Sequence, residues 1–261
     1  MKSLSTALRV LNQFTEETPW LSVSELTRRS GLTKGQVSKI LATFREAGIL
    51  QQDPQSRFYS VGVKAFELGS RFVNYHPLAR EGLPVLRRLM EKTGHSARLT
   101  LMTGDSIIYL AQVEGRLLSD SGWRVGMFLP IHATSAGKVT LAFLEPERAE
   151  QLIESLDMRQ LTPNTITDKK ELRRQLQEIV RRGYGTARGE STNGLAAVGV
   201  PVFGPDDKIL SVVSLSYPQH VVAPDQEPEL AAILHEAARV LSHRMGARVY
   251  PFGGQRLAST G

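Results

Sequence analysis

Residues 21–47 hold two helix starts eleven positions apart, at Ser22 and Thr33, with Gly31 between them. Ser22 with Glu25 forms a capping box: the hydroxyl accepts from a free backbone N–H at the helix start and the carboxylate reaches back. Leu21 and Leu26 stand at the spacing of a hydrophobic staple, and Thr33 with Gln36 repeats the box. Gly31 supplies the left-handed backbone that ends the first helix, and Leu32 can fold back onto it. Such a tight, geometrically defined turn between two capped helices is how a helix-turn-helix is written.

In the second helix Val37, Ile40, Leu41 and Phe44 fall on one stripe at i, i+3, i+4 and i+7, which predicts burial. The opposite face carries Gly35, Gln36, Ser38, Lys39 and Thr43, short polar residues that let a helix enter a major groove. There Gln can pair with adenine and Lys with guanine or phosphate, while Thr33 and Lys34 meet the same DNA from the helix start. A helical hairpin with a solvated face has the same two-helix pattern. The next segment separates the two readings, because Ile49–Leu50–Gln–Gln, the turn Asp53–Pro54–Gln55–Ser56 and Arg57–Val61 spell a β-hairpin. A hairpin directly behind a recognition helix is a wing, with Arg57 placed for a phosphate or a minor groove. Ahead of the pair, Leu4, Leu8, Leu11 and Phe14 predict a first helix whose apolar face caps the other two. The result is a winged helix-turn-helix domain over residues 1–62.

The 261-residue chain exceeds one typical domain, and 41% hydrophobic residues suffice for two cores. It has no cysteine, which excludes disulfides and thiolate chemistry. No signal peptide and no membrane-spanning run is legible, so a cytoplasmic protein with no membrane partner is expected. The first 75 residues hold 10 Lys/Arg against 6 Asp/Glu, whereas residues 76–261 hold 22 against 20, so the basic excess sits with the expected DNA reader.

Val63–Tyr75 carries Ala65, Phe66, Leu68, Phe72 and Val73 in a helical pattern stopped before Pro77, a linker helix over 63–77. Its apolar positions fit packing on their own domain and pairing with a second chain equally well. Beyond it, residues 78–250 alternate helices near 78–93, 134–144, 147–156, 168–182 and 225–245 with strands near 97–102, 106–114, 184–190, 196–203 and 209–217. Strands grouped in hairpins with helices around them predict an α+β domain with one antiparallel sheet. A disordered tail is expected over 251–261.

Catalytic and metal readings find little support in the spacing. Ser135–Ala136–Gly137–Lys138 lacks the first glycine of a phosphate loop, since His132 stands there, and Val139 occupies the place of the required hydroxyl. The six histidines are scattered, with His235 and His243 read as one surface face of a helix and His132 as ordering the pocket loop or packed. No Ser-His-Asp or paired-carboxylate arrangement emerges. Neither a catalytic residue, a metal ligand nor a cofactor is therefore assigned.

Several spaced motifs together resemble the IclR family of bacterial transcription regulators. They are Ser24–Lys39 in the helix-turn-helix, Arg57-Phe-Tyr-Ser-Val-Gly in the wing, Gly126-Met-Phe-Leu-Pro-Ile-His-Ala-Thr-Ser-Ala-Gly-Lys, Leu161-Thr-Pro-Asn-Thr-Ile-Thr-Asp and Arg182-Gly-Tyr-Gly. The resemblance spans roughly Leu4 to Val222. It implies a C-terminal GAF-like domain that binds a small organic acid effector, with dimers pairing into tetramers on double-stranded operator DNA, and a catabolic operon under control. It also implies a pocket at the start of the Ser135 helix, whose free N–H groups suit a carboxylate. Ser135 and Ala136 stand at that start, Leu129 and Leu195 match apolar walls, and Ser214 and Ser216 offer hydroxyls from one side of a strand.

Two departures from the family pattern stand out. Ala187–Arg188 replaces a common acidic position, and Ala197 a common cysteine. Arg188 is therefore expected to pair with the ligand carboxylate, with Arg98 or Arg124 as alternatives. Gly35, Gln36 and Lys39 differ from the usual family residues, so the operator sequence is this chain's own. RNA polymerase is a further expected contact if the regulator activates. The alternative is a metabolite-binding sensor or enzyme whose helix-turn-helix serves only protein contacts.

Overall fold

A computed structural model describes residues 2–116 and 122–253, and they divide into two compact units, Met1–Tyr75 and His76–Gly261. In the first unit α1 (Lys2–Leu11), α2 (Val23–Ser30) and α3 (Lys34–Glu46) precede a two-stranded antiparallel hairpin, β1 (Leu50–Gln52) and β2 (Tyr59–Val61), and then α4 (Val63–Tyr75). Both capping boxes form: Ser22 Oγ accepts from Glu25 N–H and Thr33 Oγ1 from Gln36 N–H, with the reciprocal side-chain contacts present. Gly31 takes φ 70°, and its N–H donates to Thr27 O. Leu21 serves twice, as the staple beside Leu26 and as a bridge to Tyr59, with Leu21 N donating to Tyr59 O at 3.0 Å and Tyr59 N to Leu21 O at 2.9 Å. The entry to α2 is thereby fastened to the wing.

The core of this unit is Val10, Leu21, Leu26, Val37, Leu41, Leu50 and Tyr59, and Ile40 and Phe44 pack beside it. The first helix turns differently from the expected stripe. Val10 is fully buried, whereas Leu4 and Leu8 remain 60% and 48% exposed, and the helix ends at Leu11, before Phe14. At about 100° per residue Leu8 lies on the side opposite Val10, so the two cannot share the inner face. In α4 no residue is buried, and Val63, Phe66, Phe72 and Tyr75 are exposed.

The second unit contains α5 (Pro77–Thr93), β3 (Ser96–Thr103), β4 (Ser106–Val113), α6 (Ser135–Phe143), α7 (Pro146–Ser155), α8 (Lys169–Arg182), β5 (Gly185–Arg188), β6 (Leu195–Phe203), β7 (Ile209–Pro218) and α9 (Glu227–Arg244). The strands form one antiparallel sheet in the order β4-β3-β7-β6-β5. Helices α5 and α9 pack against one face, and α6, backed by α8, against the other. Helix α6 lies unusually close to the sheet, because Gly185 and Gly199 leave it room: a Cβ on Gly185 would come within 2.7 Å of Val139 and 3.1 Å of the Ser135 carbonyl. Gly137 permits the approach from the helix side, since a Cβ there would stand 2.2 Å from Ile131 O.

At the C-terminal end Phe252 joins Phe143, Tyr250 and His235 in ring contacts, so residues 251–253 do not begin a disordered tail. The remainder of that expected tail, 254–261, lies outside the described residues.

Candidate functional site

The reading face of α3 is exposed from end to end: Thr33, Lys34, Gly35, Gln36, Ser38, Lys39 and Thr43 all lie at the surface, while Val37 and Leu41 are buried behind them. Gln36 does double duty. Its amide oxygen accepts from both Thr33 N–H and Thr33 Oγ1–H, each at 3.0 Å, which occupies both lone pairs of that oxygen. A backbone N–H must meet an oxygen, so the cap itself dictates which end of the amide faces outward. Only the NH₂ group is left to read a base, and the expected bidentate pairing with adenine, which uses donor and acceptor together, requires the cap to open. Thr43 Oγ1 donates to Lys39 O, a bond that ties it to its own helix.

The wing is braced against the reading helix by a relay in which Arg45 Nη1 donates to Gln52 Oε1 (3.1 Å) and Gln52 Nε2 donates to Arg57 O (2.9 Å). At the tip, Asp53 Oδ1 accepts from Ser56 N, Ser56 Oγ and Gln55 N, and the Ser56 bonds hold its carboxyl below the ordinary carboxylate range. Arg57 is exposed and sits at φ 62°, in the left-handed region that a residue with a Cβ seldom enters.

In the second unit a small cavity, open to solvent, lies beside the start of α6. Ser135, Leu195, Ala197 and Ser216 line it, as the sequence leads one to expect, together with Arg98, Tyr109, Trp123, Thr134, Ala187, Glu190 and Ser191. Register explains the set. Ala187, Ala197 and Ser216 are successive cross-strand partners and share a sheet face with Arg98, two positions on from Ser96, which pairs with Ser216. Thr134 caps α6 by accepting from Gly137 N–H at 3.1 Å. The Arg98 guanidinium is 1% exposed, lies 5.4 Å from the Tyr109 ring centroid and has Glu114 at 4.0 Å. Burial pushes the Tyr109 phenol above its ordinary value.

Four expected pocket residues lie elsewhere. Arg188 is one position on from Ala187 and so emerges on the opposite face of β5. There its guanidinium donates to Glu227 Oε1 at 2.7 Å and to the carbonyls of Gln219 and Val222 at 3.0 and 3.2 Å, beside Tyr217, whose hydroxyl donates to the same carboxylate. It clamps the start of α9 to the sheet instead of facing the ligand cavity. Leu129 and Ala136 belong to the apolar core with Ile107 and Val139. Ser214 is buried next to Gly199, where α6 presses on the sheet, and does not line the cavity.

Arg124, an alternative to Arg188, is exposed and donates to Trp123 O. The sequence reading missed Tyr109, Trp123, Thr134, Glu190, Ser191 and Ala196; of these Thr134 stood inside the Gly126–Lys138 motif and Glu190 in the turn directly after the Arg182-Gly-Tyr-Gly strand.

Of the histidines, His235 departs from expectation and His132 takes one of its two expected roles, that of a packed polar residue. His235 is buried, with Nδ1 2.8 Å from Tyr250 Oη, and does not share a surface face with His243. His132 is buried with Nε2 3.1 Å from Arg159 O. Among the described residues no cluster of three His, Cys, Asp or Glu side chains is disposed to hold a metal.

Against known proteins, the family described as the IclR helix-turn-helix domain matches residues 3–54, and that described as bacterial transcriptional regulator IclR C-terminal matches residues 70–243. The HTH-type transcriptional regulator KdgR of Dickeya chrysanthemi is 31% identical over 252 residues, which cover 96% of this chain and 83% of that protein. Among solved structures, an IclR transcriptional regulator from Alicyclobacillus acidocaldarius superposes with TM-score 0.81 at 28% identity, covering 94% of this chain and 99% of that one. An IclR homolog from Microbacterium hydrocarbonoxydans, crystallised with 4-hydroxybenzoate, shares the fold at TM-score 0.77 and 24% identity, covering 93% and 98% of the two chains.

Proposed function

The chain belongs to the IclR family of bacterial transcriptional regulators, and on that premise we propose that it switches a catabolic operon in response to a small organic acid bound in its second unit. The observation that carries the effector's class is a guanidinium, Arg98, buried in the wall of a cavity otherwise lined by hydroxyl, alanine and aromatic side chains, Leu195 and the Lys138-paired Glu190. A buried cation with planar donors suits a carboxylate, and the N-terminal end of α6 at Ser135 adds a positive dipole end. Leu195, Ala187 and Ala197 supply apolar wall, and Ser216 a hydroxyl. The acid found with the Microbacterium homolog supports this choice of ligand class. The ligand is bound and released unchanged, in keeping with a family of regulators.

On DNA, Thr33, Lys34, Gly35, Gln36, Ser38, Lys39 and Thr43 read or line the major groove, and Arg57 meets the backbone or minor groove. Two chains pair on an inverted repeat, with the exposed apolar residues of α4 available to a second copy, and dimers associate in pairs on the operator. Where the regulator activates, RNA polymerase is its further contact. The site of action is the cytoplasm; no helix among the described residues is long and apolar enough to cross a membrane. Control requires that the acid bind the DNA-competent and DNA-incompetent arrangements with different affinity.

The test titrates the full chain onto an inverted-repeat fragment from its own promoter across a salt series. Affinity should fall steeply with salt, with a log–log slope of about −0.9 per phosphate neutralised. The effector acid should move the binding curve about tenfold, and Arg98→Ala should remove that response while leaving ligand-free DNA binding intact. A flat salt profile combined with indifference to acids would overturn the proposal.

A further inference from the structure

Three sequence motifs with no role in the DNA reader converge on the Gly189–Glu190 turn. In the Leu161–Thr165 loop, Thr162 Oγ1 donates to Gly189 O at 2.5 Å and Thr165 Oγ1 to Glu190 O at 2.6 Å. The turn they hold is closed tightly around Gly189, at φ +66°, where a Cβ would lie 2.5 Å from Gln219 Nε2 and 2.9 Å from Asn164 Nδ2. From α6, Lys138, with its side chain 1% exposed, donates to Glu190 Oε1 and Oε2 at 2.9 and 3.0 Å and to Gln175 Oε1 at 3.0 Å. The loop thus fixes the backbone of Glu190 and Lys138 of α6 holds its carboxylate, and the residue lines the cavity that contains Arg98.

A carboxylate offers about four acceptor positions. Lys138 takes one on each oxygen, and the Arg188 N–H approaches Oε1 at 3.4 Å, which leaves Oε2 an acceptor position to spare. That spare position can accept a further donor, from water or from a ligand. The ammonium of Lys138 cancels the charge of Glu190, so an anion entering the cavity meets no net repulsion from it. Arg98 comes from β3 and Glu190 from the turn after β5, with β7 and β6 between, so the two reach the cavity across three strand spacings, about 14 Å at the backbone.

We propose that the pocket selects a hydroxylated carboxylate, its carboxyl group at Arg98 and a hydroxyl donated to Glu190, with the Ser135, Ser191 and Ser216 hydroxyls along the carbon chain between. This rests on the acid-effector reading above and narrows it. Lys138 and the threonine loop are positioning groups that keep Glu190 in place. A ligand with a methylene where the hydroxyl belongs forgoes a hydrogen bond to a charged acceptor, a loss of roughly 10- to 100-fold in affinity.

Isothermal titration of the full chain with matched pairs, lactate and propionate, D-gluconate and hexanoate, tests this, with D-sorbitol as a polyol without a carboxylate. At least one hydroxylated acid should bind about tenfold or more tighter than its deoxy partner and than sorbitol. In Lys138→Met/Glu190→Leu, which removes both charges together so that no lone ion is buried, the preference should shrink to within threefold while the deoxy acid still binds. Circular dichroism checks that the variant is folded, and the wild-type comparison decides the matter alone if it is not. Deoxy acids binding as tightly as their hydroxylated partners overturn the Glu190 subsite and leave the acid reading standing. Sorbitol matching gluconate overturns the acid reading and leaves the subsite. Binding of none of the five overturns both.

Discussion

On the reading helix, seven of the eight residues assigned to DNA fall within Thr33–Thr43, whereas the pocket draws Tyr109, Ser135, Ala187, Leu195 and Ser216 from five separate elements, β4, α6, β5, β6 and β7. In a helix the direction of each side chain follows from its neighbours at 100° per residue, so a local string determines its own outward face. In the sheet each direction depends on strand register and on what covers the face, neither of which is local. The difference predicts where substitutions in the two units should bite.

The largest effect is expected where the start of α6 has no slack. Gly137→Ala places a Cβ 2.2 Å from Ile131 O, against backbone that cannot swing aside, and should lower the stability of the second unit by about 3 kcal/mol or more in urea unfolding. Wild-type stability in this variant would mean that α6 does not seat as described. Arg188→Ala strands the buried Glu227 carboxylate and should cost about 3 kcal/mol. Its acid affinity should stay within threefold of wild type, and a 30-fold loss by calorimetry would return Arg188 to the pocket.

Acid should separate the units next, because all six histidines lie in the second. Burial holds the imidazole of His235 down to about 4. The unfolded chain therefore takes up this proton first, and stability is full above about pH 6.5 and falls as pH drops toward 4, by about 3 kcal/mol at most. His235→Phe should flatten that slope in urea midpoints measured between pH 7 and 4.5; an unaltered slope assigns it to another group. The shifted carboxyls of the first unit, Glu25, Asp53 and Glu67, are all held low, so their contribution disappears only in more acid solution.

Smaller effects belong to the reading helix. Gln36→Glu preserves the cap but removes the outward NH₂, so specific operator affinity should fall about tenfold with no loss of thermal stability; unchanged binding in a mobility-shift titration would show that Gln36 reads nothing. Gly35, where an added methyl group would meet nothing within 4 Å, is the counterpart of Gly137. Gly35→Ala should raise the stability of the first unit by about 0.5–1 kcal/mol, read as a higher unfolding midpoint.

Legibility follows the same division. The caps at Ser22 and Thr33, the turn at Gly31 and the stripe of Val37 and Leu41 are readable because each is a contact over three or four residues. Leu4 and Leu8 mislead because a leucine repeat fixes a helix's period but not which stripe meets the neighbours, and Val10 takes that place. Alternation along β5 is enough to send Arg188 away from a cavity lined by Ala187, and this period of two outweighs the acid-to-base swap that points the other way. Ser214 meets the alternation rule and still fails, since only the glycine-lined approach of α6 at Gly185 and Gly199 decides that it is covered. Tyr109 and Trp123 have no local mark at all; they enter the cavity through the pairing of β4 with β3 and through the loop before α6.

The left-handed backbone at Arg57 bears on how the first unit's stability is set. A side chain with a Cβ costs about 1 kcal/mol there relative to glycine, and the fold tolerates it because the Gln52 amide holds the Arg57 carbonyl in place. The wing is therefore kept below its attainable stability in exchange for an exposed guanidinium just past its turn. Selection for thermal robustness alone would replace that arginine with glycine, and a lineage that did so would gain a firmer hairpin and give up the cation proposed to meet DNA.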